Sequence, residues 1–76
     1  MSEIKAILSE LRPEFNFDDS SNFIEDGYLD SFDIISLIST IEEKYGVVVD
    51  GLDIVPENFI SCEAIINLIK KSGGEI

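Results

Sequence analysis

Polar and apolar positions along the chain keep their clearest period between Ser31 and Tyr45. Ile34, Leu37, Ile38, Ile41 and Tyr45 recur at helical spacing, which lays one stripe of a helix against a core. Asp30 stands at the N-cap position, where a carboxylate accepts from the unbonded amides of the first turn. Asp33 adds charge favourable to the helix dipole, and Gly46 supplies the stop. Ile4, Ile7, Leu8 and Leu11 form a second stripe and predict a helix over about Glu3 to Arg12 with Ser2 as its N-cap. Pro13 ends it, because the residue before a proline is pushed out of the helical region. Cys62, Ile65, Ile66 and Ile69 form a third stripe, capped by Ser61, with Glu63 in its first turn, Lys70 and Lys71 in its last, and Gly73-Gly74 beyond.

No period is sustained from Pro13 to Leu29. That stretch carries Phe15, Phe17, Phe23, Ile24 and Leu29, too many large apolar groups for a free linker, so it is expected to lie across the helices with its aromatics inserted. Asp26-Gly27 is a turn dipeptide that reverses the chain before the second helix. Val47-Val48-Val49 is β-branched but has no second strand to pair with and reads as an extended, buried connector. Gly51 to Ile54 predicts one short helical turn, stopped by Pro56. The expected fold is therefore all-α: a small antiparallel bundle of three main helices plus one short turn, with a long loop between helices 1 and 2, in one domain over 1–76. At this length a single core only just outweighs chain entropy, so almost every apolar side chain should be used.

Phe32 and Ile35 do not fit the second helix's stripe. They project from its other side, with Ser36, Ser39, Glu42 and Glu43. Either they are a contact surface for a partner, or another segment covers them, and periodicity weighs the two equally.

Composition narrows the partners. Sixteen acidic against five basic residues give a formal charge of −11. Such a surface repels nucleic-acid backbones and anionic lipid and favours proteins with basic patches, although acidity also serves solubility alone. No apolar run approaches the roughly 20 residues a membrane span needs. Met1-Ser2-Glu3-Ile4-Lys5 lacks the basic and long apolar regions of a signal peptide, so a cytoplasmic location is expected.

One cysteine and no histidine remove internal disulfides, the usual zinc sets and imidazole acid-base chemistry. Cys62 reads as buried filler. Read as a calcium loop with Gly27 at the sixth position, the acidic run near it puts Ile24, which has no oxygen ligand, at the third. Ser31 has no histidine to deprotonate it, and Asp30 and Asp33 are more simply helix-start charges, so intrinsic catalysis is not expected.

Asp30-Ser31-Phe32, preceded by Phe23-Ile24-Glu25-Asp26-Gly27-Tyr28-Leu29 and followed by an amphipathic helix with Glu42-Glu43, resembles the phosphopantetheine attachment region of acyl and peptidyl carrier proteins. The resemblance covers nearly the whole chain, including Pro56-Glu57-Asn58-Phe59 leading into the final helix. An Asp-Ser-Leu core is commonest in that family. Phe32 in place of the leucine looks more like D-alanyl carrier proteins and other free-standing carriers that work with adenylate-forming ligases.

The resemblance implies that a phosphopantetheinyl transferase uses coenzyme A to modify Ser31, giving an arm whose thiol holds an acyl or aminoacyl group as a thioester. Asp30 belongs to the motif as the helix cap. Phe32, Asp33, Ile35, Ser39, Glu42 and Glu43 become the partner face, and the balance on Phe32 and Ile35 tips toward exposure. The implied partners are the transferase, an adenylate-forming acyl or amino-acid ligase, and the acyl-transferring or chain-extending enzymes of lipid or nonribosomal peptide biosynthesis. Neither nucleic acid nor stable membrane insertion is among them, and a monomer is expected. Phe32 leans the cargo toward an amino acid or short acyl group. A helix N-terminus suits the phosphodiester, while Asp30 and Asp33 oppose it by like-charge repulsion. On this reading Phe32→Ala and Glu42→Lys should each leave stability within about 0.5 kcal/mol. The competing reading is an unmodified acidic helical adaptor that docks on a basic protein surface through Phe32 and Ile35.

Overall fold

The computed structural model describes residues 2–75. Three helices dominate: α1 over Ser2–Leu11, α2 over Ser31–Tyr45 and α3 over Cys62–Lys71. Short 3-10 turns lie at Phe17–Asp19, Gly51–Asp53 and Pro56–Phe59, and the described residues contain no strand. The all-α bundle expected from the periodicity is thus the fold. Helix α1 sits one residue earlier than its stripe predicts. Ser2 is its first helical residue and not its cap; the side chain of Ser2 lies outside the described part. Ser61 accepts from the Ala64 amide at 3.1 Å and caps α3 as expected.

Two polar contacts set the antiparallel pairing of α1 and α2, one at each end. Tyr45 Oη at the end of α2 donates to the Glu3 carboxylate at the start of α1, 2.8 Å away. Arg12, just past the end of α1, reaches Asp33 in the first turn of α2. Between them Ile4, Leu8, Leu37 and Ile41 are fully buried. Helix α3 packs on α1 and on the Pro56–Phe59 turn, adding Phe59, Ile65 and Ile69 at zero exposure. Because α3 is contacted from two sides, its buried arc shifts from the predicted stripe. Leu68 is buried, whereas Cys62 and Ile66 stand half-buried at the edge.

The long loop is pinned by its aromatics. Phe17 meets Phe23 edge-on at 5.0 Å, and Phe15 stacks on Tyr28 at 4.5 Å. The Phe23 amide donates to the Ile60 carbonyl at 2.8 Å and ties the loop to the turn before α3. The Phe23 carbonyl accepts from Tyr28 and Leu29, which fixes the chain immediately ahead of Asp30. After α2, Gly46 takes the left-handed conformation with φ 64°, open to glycine at little cost, and turns the chain into the connector. Val47 and Val49 are buried there and Val48 points to solvent, the alternation of an extended segment lying on a core.

The Tyr45 contact is testable by pH. Burial first, then the hydrogen bond to Glu3, pushes this phenol up to about 12. The native state therefore favours the neutral form. Its contribution to stability is full below the ordinary value of 10.0 and is lost as pH rises through about 12. Spectrophotometric titration is expected to show a phenol that ionises only near that upper value and that Tyr45→Phe removes. Ionisation of every phenol near the ordinary value contradicts the contact.

Candidate functional site

The site forms where α1 ends and α2 begins. Asp30 is in extended conformation, and its Oδ1 accepts from the Asp33 amide at 3.0 Å. Asp33 Oδ2 accepts in return from the Asp30 amide at 3.1 Å. This reciprocal capping box satisfies two amides that the first turn would otherwise leave open. Ser31, the first residue of α2, is exposed. Ser61, at the start of α3, is half-buried and already engaged with Ala64, while Ser36 and Ser39 are exposed in mid-helix, away from the terminal amides.

Arg12 joins this corner. Its Nε donates to both Asp33 oxygens at 3.0 and 2.9 Å, one Nη to Glu14 at 3.2 Å and the other to Asp30 at 3.4 Å. Hydrogen bonding to Asp33 raises the guanidinium above its ordinary value. The Asp33 amide, with a smaller effect of Arg12, holds the Asp30 carboxyl below the usual carboxylate range. Beside Ser31 a shallow groove of about 270 Å³ is walled by Ile34, Ile35, Ile54, Val55 and Pro56. Ser31 thus presents an exposed hydroxyl at a helix start, next to an apolar trough.

Residues 2–68 match the family described as phosphopantetheine attachment site. The chain belongs to the acyl and peptidyl carrier protein family. Phosphopantetheine is the prosthetic group of such carriers, and carrier domains are not themselves catalysts. Neither the curated proteins nor the solved structures contain a match to this carrier.

The residues at the start of α2 fit the group. The Ser31 hydroxyl is accessible, the helix N-terminus offers positive dipole to a phosphodiester, and Ile35, Ile54, Val55 and Pro56 offer apolar surface to its stem. When attached, the group would supply a long arm ending in a thiol. Cys62 is no competitor for that chemistry, because it is half-buried and burial pushes its thiol up, disfavouring the thiolate. Among the described residues no cluster of His, Cys, Asp or Glu is placed to hold a metal ion, and no helix is long and apolar enough to cross a membrane.

The structure separates the expected partner residues into two groups. Phe32 is 82% and Ile35 65% exposed, and Ser39 and Glu43 are exposed beside them on α2. Asp33 does not join this face. It is 6% exposed, with its carboxylate turned inward onto Arg12 and the cap, so it cannot meet a partner's basic groups. The expected repulsion of an incoming phosphate by Asp33 is correspondingly reduced by Arg12. Glu42 is half-buried, and its Oε2 accepts from the Val49 amide at 2.9 Å.

The expectation that Glu42→Lys is neutral is therefore corrected. Removing the acceptor strands a half-buried amide, so a loss of about 1–3 kcal/mol is expected, whereas Phe32→Ala should stay within about 0.5 kcal/mol. Urea denaturation of the two variants checks this, and equal midpoints would contradict the Glu42 contact. Arg12 and the wall formed by Ile54, Val55 and Pro56 were not legible as site residues. Arg12 meets Asp33 across 21 positions of sequence, and nothing periodic marks a single arginine beside a proline.

Proposed function

We propose that Ser31 carries the phosphopantetheine and that the chain, a cytoplasmic monomer, holds an acyl or aminoacyl group on that arm and presents it to partner enzymes. The observation that carries this is the exposed Ser31 hydroxyl at the capped start of α2, beside the apolar groove. Tethering raises the cargo's effective concentration in a partner's active site to roughly millimolar without tight protein contact.

An amino acid or short acyl group, loaded by an adenylate-forming ligase, is the cargo that Phe32 in the Asp30-Ser31-Phe32 motif supports. Phe32 and Ile35 provide a small apolar anchor ringed by Glu43 and Asp30, so partner binding is weak, fast and steered by charge. Ion pairs at such an edge contribute about 0–1 kcal/mol each, and salt loosens them.

The test is to incubate the apo-protein with coenzyme A and a promiscuous phosphopantetheinyl transferase, weigh the product and fragment it. One phosphopantetheine per chain, mapped to the peptide holding Ser31, is the expected result. Unchanged mass rejects the proposal and leaves the adaptor reading, and a gain mapped to another serine rejects Ser31 as the attachment residue. Mass spectrometry of the thioester formed in the native host then identifies the cargo.

A further inference from the structure

Arg12 is the cation bonded into the cap that precedes Ser31, and it faces three carboxylates there: Asp33, Asp30 and Glu14. The cluster carries two negative charges with Arg12 in place and three without it. The Asp33 side chain is 9% exposed and that of Arg12 33%, so this pair is shielded from water and salt more than a surface pair is. The end of a helix offers only about half a positive charge. Left unbalanced, the carboxylates would cancel that charge where a phosphate must arrive.

We propose that Arg12 is a positioning residue of the modification site. Through Asp33 and Asp30 it holds the capping box closed and offsets one of its two negative charges, keeping the start of α2 more receptive to an anionic phosphoryl group. This rests on Ser31 being the attachment residue. In the step concerned, Ser31 Oγ forms a bond to the phosphorus that bears pantetheine in coenzyme A, and the bond from that phosphorus to the nucleotide's bridging oxygen breaks. The hydroxyl proton passes to a base of the transferase, and the adenosine bisphosphate leaves with the electron pair. The product is a phosphodiester anion on Ser31, one residue from Asp30 and two from Asp33.

The role has a signature that a purely structural one lacks. Removing Arg12 makes the protein more negative overall, which favours docking on a basic transferase while disfavouring phosphate arrival. The transfer rate and the apparent affinity should therefore move apart.

The experiment measures kcat and KM for the full chain as substrate of a phosphopantetheinyl transferase with coenzyme A. It compares wild type, Arg12→Gln, Arg12→Lys and the double variant Arg12→Gln/Asp33→Asn, with thermal melts on each. Arg12→Gln is expected to lower kcat about tenfold with KM unchanged or lower. Arg12→Lys, which keeps the charge beside Asp33, should stay within about threefold of wild type. The double variant, which removes both charges but keeps an oxygen for the Asp30 amide, should regain most of the loss. Equal kcat in Arg12→Gln, a loss confined to KM, or Arg12→Lys as slow as Arg12→Gln overturns the proposal. If Arg12→Gln does not fold, the lysine and double variants decide it by the same criteria. Failure of wild type itself to gain mass, or modification of Ser31→Ala, sinks the attachment reading and this inference with it, whereas normal modification of wild type with an unchanged Arg12→Gln rate overturns this inference alone.

Discussion

Ser31→Ala is expected to gain no mass with coenzyme A and transferase while folding as well as wild type. The hydroxyl is the atom that must bond to phosphorus, and no neighbouring residue offers a second nucleophile at the start of α2: Asp30 and Asp33 are engaged in the cap, and Phe32 and Ile34 are hydrocarbon. Stability should barely change. Ser31 is exposed, the cap is made by Asp30 and Asp33 and not by Ser31, and alanine has the better helix propensity by about 0.5 kcal/mol. Ser9→Ala, at an exposed position of α1 and not on the partner face, should be fully modified. Retention of modification in Ser31→Ala would remove Ser31 from the site.

Phe59→Ala should have the largest effect on stability, about 3–5 kcal/mol for a fully buried phenylalanine. At about 0.05–0.15 kcal/mol per residue, a domain of this length has roughly 4–11 kcal/mol in total. The variant is therefore expected to lose much of its denaturant midpoint or to be partly unfolded in buffer. The consequence reaches the site. Phe59 anchors the Pro56–Phe59 turn against α3, and that turn opens with Pro56, which together with Ile54 and Val55 walls the groove beside Ser31. A urea midpoint equal to wild type would show that Phe59 is not part of the core. Phe32→Ala is the control, an equal truncation at an 82% exposed position.

The two phenylalanines illustrate how much could be read without coordinates. Periodicity alone leaves Phe32 open between partner surface and core, because it says which side of a helix a residue occupies but not whether another segment covers that side. Phe59 sits outside any sustained period, in a four-residue turn, and its burial depends on where α3 packs. The Asp30 cap, the Pro13 and Gly46 stops and the stripes of α1 and α2 were legible, since each depends on residues within one or two turns. Asp33 was half legible. Its place in the first turn was plain, but its inward orientation depends on an arginine from another helix end. Glu42 has an acceptor role that the helix pattern does not show, because it is set by the path of the connector at Val49.

Local chemistry alone thus determined three helices, their boundaries to within a residue or so, an acidic surface and a serine opening the second helix. Those features arise from hydrogen bonds and side-chain directions within a few neighbouring positions. Tertiary packing decided that Ser31 faces solvent, that Asp33 turns away from it onto Arg12, and that Ile54, Val55 and Pro56 line the trough beside it. These depend on contacts between residues far apart along the chain, and the pattern of a single segment holds no information about what another segment brings against it.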